Sequence, residues 1–332
     1  MTYRSYVLGI ILLALTGRAL FELYASNSVG CDAFDRSESD FLAYCDSARL
    51  GHYDHAAFLF DLESGLKENV LNANILFLGS SRVQVAFSTD ALTEFSKRYP
   101  ESRPFLLGFG YVEQDMFSAK VLALIRPKPK VVVINVDPFF DHTASPHARR
   151  LLDNPREEEI KARTKRLWHQ VSALACEGRL SRIVGDAICG SLYTSYRSRK
   201  DGRWISRNPV VGTMPVAYLP EQAGDDRKIL DYSANAAEFL GILPIERACI
   251  IMTHIPSADS REYIPRGIAD NMGTPFIAPH IPHLTTADGT HLDSSSAERW
   301  SKEFLAELAP IISRCMKKRH QIAAPAASGL VH

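Results

Sequence analysis

An excess of charge of either sign is missing from this sequence. Lys and Arg total 38, Asp and Glu total 38, and the formal net charge is zero. A chain that grips a phosphate backbone carries a basic excess, so this balance argues against a nucleic-acid partner. Metal-ligand spacing is missing too. There is no Cys-x-x-Cys or His-x-x-x-His pattern. His52, Asp54 and His55 crowd together without a third ligand nearby and read as surface residues. No internal repeat is visible, and nothing calls for a cofactor. Cysteine is sparse but even in number: Cys31, Cys45, Cys176, Cys189, Cys249 and Cys315. An even count in an exported chain points to disulfides. Cys31/Cys45 and Cys176/Cys189 form two local pairs. Each bridge would close a loop of about a dozen residues, on the order of 3 kcal/mol in the chain-entropy model. Cys249/Cys315 is the leftover pair, and Cys249 at the head of an apolar strand also reads as a buried thiol.

What is present begins at the N-terminus. Residues 6–24 read YVLGIILLALTGRALFELY, preceded by Arg4. About 20 residues cross a bilayer, and long charged side chains near the end of a span can snorkel to the interface. The expectation is one transmembrane signal anchor over 1–25, with the short Arg4 end in the cytoplasm. Leu23-Tyr24-Ala25 is a poor small-x-small cleavage site, which favours an anchor over a cleaved signal peptide. Either reading exports the remainder. The expected location is the inner membrane, with the globular domain on its periplasmic side.

The length, 332 residues, suits one large α/β domain with insertions. Residues 26–70 are polar and mixed and read as a membrane-proximal segment. Apolar runs at 74–79, 105–107 and 131–136 alternate with helical patterns at 88–99 and 114–125. That alternation predicts a parallel sheet with right-handed crossovers. Further strands are expected at 248–253 and 276–278. An amphipathic closing helix is expected at 297–315, with Trp300, Phe304, Leu305, Leu308 and Ile311 on one face. The α/β domain spans 71–316, with an insertion at about 141–245 whose stretch 197–226 reads as a long surface excursion. Residues 317–332 read as a disordered tail.

Two polar turns carry the chemistry. The first strand runs into Gly79-Ser80-Ser81-Arg82, at the strand end where α/β sheets place ligands. Asp288-Gly289-Thr290-His291 precedes the closing helix. A carboxylate on one imidazole nitrogen fixes the tautomer and leaves the other to take a serine proton. His254, His280 and His283 follow late strands and read as core or rim residues. Trp204, in the excursion, is a candidate platform for a sugar ring or a locally packed ring.

The order of these blocks, with a Gly108/Gly110 turn after the second strand and a polar turn after the third, resembles the SGNH (GDSL-like) hydrolase superfamily. It is most similar to the membrane-anchored, exported branch whose first block reads Gly-Ser-Ser-Arg. The resemblance covers about 72–313. It implies a flavodoxin-like three-layer sandwich, with Ser81 as nucleophile, His291 as general base and Asp288 as orienting carboxylate. It also implies an oxyanion hole of the Ser81 N–H and a glycine N–H. Gly110 fills that place if the turn aligns without a gap, and Gly108 otherwise. The family's third block supplies an Asn donor. Here register puts Asp137 in that place, with Asn135 two residues back. Either Asn135 reaches forward, or Asp137 holds something else such as Arg82, or the hole has backbone donors alone. Arg82 and Asp137 are also candidate substrate contacts, and Arg82 reads equally well as a structural ion-pair residue. The implied substrates are acyl esters of envelope or exopolysaccharide glycans, and the implied partner is an integral-membrane acyltransferase. A non-catalytic glycan-binding or scaffolding subunit is the alternative, and Asp137 is its best support.

Overall fold

Ile75–Ser80, buried along its whole length, is strand β1 of the computed structural model. The structure describes residues 53–177, 194–205 and 210–317, with strand residues 41–45 and isolated positions between 7 and 17. The chain falls into two units, 1–62 with 151–197 and 63–150 with 198–332.

The second unit carries the sheet. Its strands are β1, β2 (Pro104–Phe109), β3 (Val131–Asn135), β4 (Ile250–Thr253) and β5 (Phe276–Ile277). Every neighbouring pair is parallel, in the order β5-β4-β3-β1-β2. This is the order of flavodoxin-like doubly wound sheets, whose topological switch lies between β1 and β3. The continuous apolar runs of β1 and β3 follow from burial on both faces.

Helices α1 (Ser81–Ala86) and α2 (Thr89–Arg98) follow β1, α3 (Asp115–Ile125) follows β2, and α4 (Asp225–Gly241) precedes β4. Then come α5 (Tyr263–Met272) and α6 (Ser294–Lys317). Alternation along the strands sorts the faces. Ile75, Phe77, Val131, Val133 and Ile251 share one core with Leu92 of α2 and with Trp300, Phe304 and Leu308 of α6. On the opposite face Phe109 meets Phe117 of α3 edge-on, at 4.9 Å between ring centroids. Ser88 caps α2 by accepting from the Ala91 N–H at 3.1 Å.

In the first unit the sequence reading of Asp54 and His55 as surface residues is corrected. Both are buried in the helix Tyr53–Leu59. Asp54 lies 2.8 Å from His55 Nδ1 and 3.2 Å from the Arg197 guanidinium, which stacks over Phe58. Burial raises the Asp54 pKa, but His55 and Arg197 outweigh it and lower the net value. The neutralising arginine is far away in sequence, so the local pattern did not reveal it.

No helix among the described residues is long and apolar enough to cross a membrane. The expected anchor lies almost wholly outside those residues, as do the side chains of the expected Cys31–Cys45 and Cys176–Cys189 pairs. The tail beyond 317 lies outside them too, while Lys317 itself ends α6.

The leftover cysteines are bonded. Cys249, just before β4, joins Cys315 of α6 across 66 residues. A loop of that length is worth about 4 kcal/mol in the chain-entropy model, and removing a native bridge typically costs about 2–5 kcal/mol. Replacing both cysteines by serine is expected to lower the urea midpoint accordingly. An unchanged midpoint would contradict a structural role for this bridge.

Candidate active site

Strand β1 delivers Ser81 to the carboxyl edge of the sheet. The passage from β1 into α1 is tight. Gly79 has φ +151°, and a Cβ there would lie 2.6 Å from Val83 Cγ2 and 3.2 Å from Asn135 Cβ. Only glycine lets α1 begin this close to β3. The Ser80 hydroxyl accepts from the Arg82 N–H at 3.4 Å and caps the helix. Ser81 is then the first helical residue, and its N–H has no partner within the helix. Its side chain is mostly buried, the residue being 9 % exposed. One turn on, fully buried Gln84 donates to the carbonyls of Leu106 at 3.1 Å and Gly108 at 2.7 Å. Those bonds fix α1 against the end of β2.

Ser81 Oγ lies 2.8 Å from His291 Nε2, a contact across 210 residues of sequence. His291 Nδ1 lies 2.7 Å from Asp288 Oδ2. An ionised carboxylate only accepts, so the proton between them belongs on Nδ1, and Nε2 is left to accept from the serine hydroxyl. Asp288 Oδ1 also accepts from the N–H groups of His291 at 2.8 Å and Thr290 at 2.9 Å. Burial opposes ionisation of Asp288. The bonds from the His291 ring and these N–H groups outweigh it and hold the carboxyl well below the usual range.

The turn bearing His291 is held from several sides. Thr285–Thr286 pairs antiparallel with Met214–Pro215 of the long excursion, and the Ala287 N–H donates to the His291 carbonyl at 2.8 Å. Asp293 begins α6. It accepts from the Ser296 N–H at 2.7 Å, the Gly212 N–H at 3.1 Å and the Thr285 hydroxyl at 2.5 Å. Burial again opposes ionisation of Asp293, and these donors overcome it, holding the pKa at about 2.

Beside Ser81 lies the end of β2. Gly108 pairs with Gly79 and Phe109 with Ser80, so Gly110 is the next residue along. A Cβ at Gly108 would lie 2.5 Å from the Ser80 carbonyl oxygen, so that glycine answers a close approach of two strands. Beyond Gly110, Tyr111 and Val112 take φ of +62° and +55°. A β-branched residue in this region stores about 1–3 kcal/mol of strain, which proteins keep where a loop must hold one course. The half-buried Trp204 ring approaches Gly110 so closely that a Cβ there would lie 3.4 Å from Cη2.

The third block resolves into two functions. Asn135, fully buried, accepts from the Ile255 N–H at 2.9 Å and donates to the Asp137 carbonyl at 3.3 Å. Its amide thus braces the ends of β3 and β4. Asp137 holds Arg82, with Nη1 at 2.6 Å from Oδ2. Behind it His254 is buried, with Nε2 2.5 Å from the Ser260 hydroxyl and Nδ1 3.9 Å from Asp137 Oδ2. Burial pushes the His254 pKa down to about 4, against the pull of Asp137 and with the push of Arg82. His280 instead sits at the surface, stacked on Tyr218 at 4.3 Å.

The structure therefore brings Ser81, His291 and Asp288 into one hydrogen-bonded line, with Gly110 alongside and the Arg82–Asp137 pair adjacent. Sequence reading missed Gln84 and Asp293. A helix-cap reading of the Asp just before Ser294 would have found the second, whereas Gln84 shows no local signal.

Asp293→Ala is expected to cost about 1–2 kcal/mol through the lost cap. The folded pKa of Asp293 lies below the ordinary value of 3.8. Its contribution is therefore full above about pH 4 and fades as pH falls through about 2. Acid titrations of stability should show that fading in the parent and not in the variant. An unaltered acid profile in Asp293→Ala would contradict the assignment. No family model, curated protein or solved structure matches this chain, so its site is read from its own geometry.

Proposed function

We propose that this chain is an exported, membrane-anchored serine esterase or O-acyltransferase of the SGNH type, acting on acyl esters of envelope or exopolysaccharide glycans. The observation that carries this reading is the line from Ser81 Oγ to His291 Nε2 at 2.8 Å and from His291 Nδ1 to Asp288 at 2.7 Å. In this reading Ser81 Oγ attacks the acyl carbonyl carbon while His291 Nε2 takes its proton. Asp288 stays ionised and steadies the imidazolium. The developing oxyanion meets the N–H groups of Ser81 and Gly110. Backbone donors preset for that charge are worth about 2.7–4 kcal/mol each. Collapse of the intermediate expels the alcohol, which takes the proton from His291 and leaves Ser81 acylated. Water or a sugar hydroxyl then accepts the acyl group by the same steps in reverse. Hydrolase and transferase share this machinery and differ only in the acceptor.

The export part rests on the N-terminal apolar run, and the Cys249–Cys315 bridge is in keeping with an oxidising compartment. Trp204 beside Gly110 supplies an aromatic face where a sugar ring could rest. The alternative reading, a non-catalytic subunit, drew on Asp137 as a carboxylate in place of an oxyanion donor. With its charge matched by Arg82 at 2.6 Å, Asp137 loses much of that force.

Intact-mass measurement after treatment with a fluorophosphonate tests the proposal. One adduct is expected, on Ser81. Ser81→Ala should gain none, and His291→Ala should label about 10²–10⁴-fold more slowly. Equal labelling of Ser81→Ala and the parent would remove the nucleophile.

A further inference from the structure

A pocket of about 370 Å³ opens next to the nucleophile turn, at the carboxyl end of β3 and between α4 and α5. Its size lies at the small end of the range for small-molecule sites, about 300–1,000 Å³. Three cations reach it, from separate parts of the fold: Arg82 from α1, Lys228 from α4 and Arg261 just before α5. Two carboxylates face them, Asp137 and Asp259. Asp137 is matched by Arg82 at 2.6 Å. Arg261 lies 3.7 Å from Asp225, a charge contact longer than a hydrogen bond, and also meets the Tyr263 hydroxyl, contacts that take up only part of the five N–H donors of its planar fork. Counted with Asp225, the three cations meet three carboxylates, and Lys228 is the lining cation held in no ion pair among the described residues. Tyr232 also lines the pocket, with its hydroxyl bonded to Asp141, and burial followed by Asp141 raises its pKa. Ile264 and Ile268 supply an apolar wall for a carbon skeleton.

We propose that this pocket is a subsite for a carboxylate-bearing sugar unit of the substrate, read by Arg261 and Lys228 next to the ester that acylates Ser81. The assignment deepens the hydrolase reading and rests on it for the meaning of the neighbouring ester. Arg82 links the two places, since it follows the nucleophile in sequence and also lines the pocket. A planar carboxylate suits the guanidinium fork, and the apolar wall suits the sugar ring that bears it.

The test uses the full chain carrying Ser81→Ala, so that binding is read without turnover. Calorimetric titration with methyl glucuronoside, methyl glucoside and glucose 6-phosphate compares acidic, neutral and phosphorylated sugars. The glucuronoside should bind at least tenfold more tightly than the glucoside. Lys228→Gln and Arg261→Gln should each pull that ratio towards one, and Asp259→Asn should raise it. Lys228 sits on an exposed helix position, so its variant keeps the test decisive if Arg261→Gln disturbs the Asp225 contact. Equal affinity for acidic and neutral sugars, or a ratio untouched by the Gln variants, would overturn the proposal. Preference for the phosphate over the carboxylate would overturn it as well. The readout is separate from catalysis. Loss of fluorophosphonate labelling in the parent with the sugar ratio intact would remove the esterase reading and leave the subsite. Labelling without the ratio would do the reverse.

Discussion

One hydrogen bond, 2.8 Å from Ser81 Oγ to His291 Nε2, sets the demands on everything around it. Its two ends come from opposite extremes of the α/β unit, the exit of its first strand β1 and the approach to the last helix. Neither end can drift by much if the bond is to keep its length. The serine end is held by Gly79, which lets α1 rise against β3, and by Gln84, which ties α1 to β2. The histidine end is held by the Asp288 turn, by the short pairing with Met214–Pro215, and by Asp293 at the start of α6. Between them, Trp300 and Phe304 of α6 pack against Phe87, which follows α1, at 5.6 Å and 5.4 Å between centroids. Apolar packing thus brings the two turns together, and polar bonds set their final geometry.

That division explains what the sequence made legible. The strands β1 and β3 are buried on both faces and so are written as unbroken apolar runs. The alternation with helices follows from the crossovers that a parallel sheet requires. Ser81, Asp288 and His291 were legible because each stands at an element boundary where chain direction changes and side chains meet the crevice. Gly108 and Gly110 were harder to separate, since both are glycines in one short turn. Register places Gly108 opposite Gly79 inside the ladder, and Gly110 after the residue opposite Ser80.

The features that escaped depend on partners distant in sequence. Asp54 and His55 look like surface residues until Arg197 is brought against Asp54. Asp137 has three readings in sequence, Arg82 as its partner among them, until the first turn of α1 aims Arg82 at it. The excursion over 197–226 reads as a long surface loop whose task has no local signal, and in the structure Gly212 and Met214–Pro215 brace the histidine turn. In each case a three-dimensional pairing, and not a local pattern, assigns the role. Cys249 and Cys315 pair in sequence only as the leftover cysteines, and the fold brings the approach to β4 and the end of α6 within bonding distance.

A structure of the chain after reaction with a small organophosphate tests the central claim most directly. A covalent phosphoryl group is expected on Ser81 Oγ, with its free oxygen facing the N–H groups of Ser81 and Gly110 and with His291 still bonded to Asp288. An adduct on another residue, or a phosphoryl oxygen turned towards Asp137 and away from those N–H groups, would contradict it.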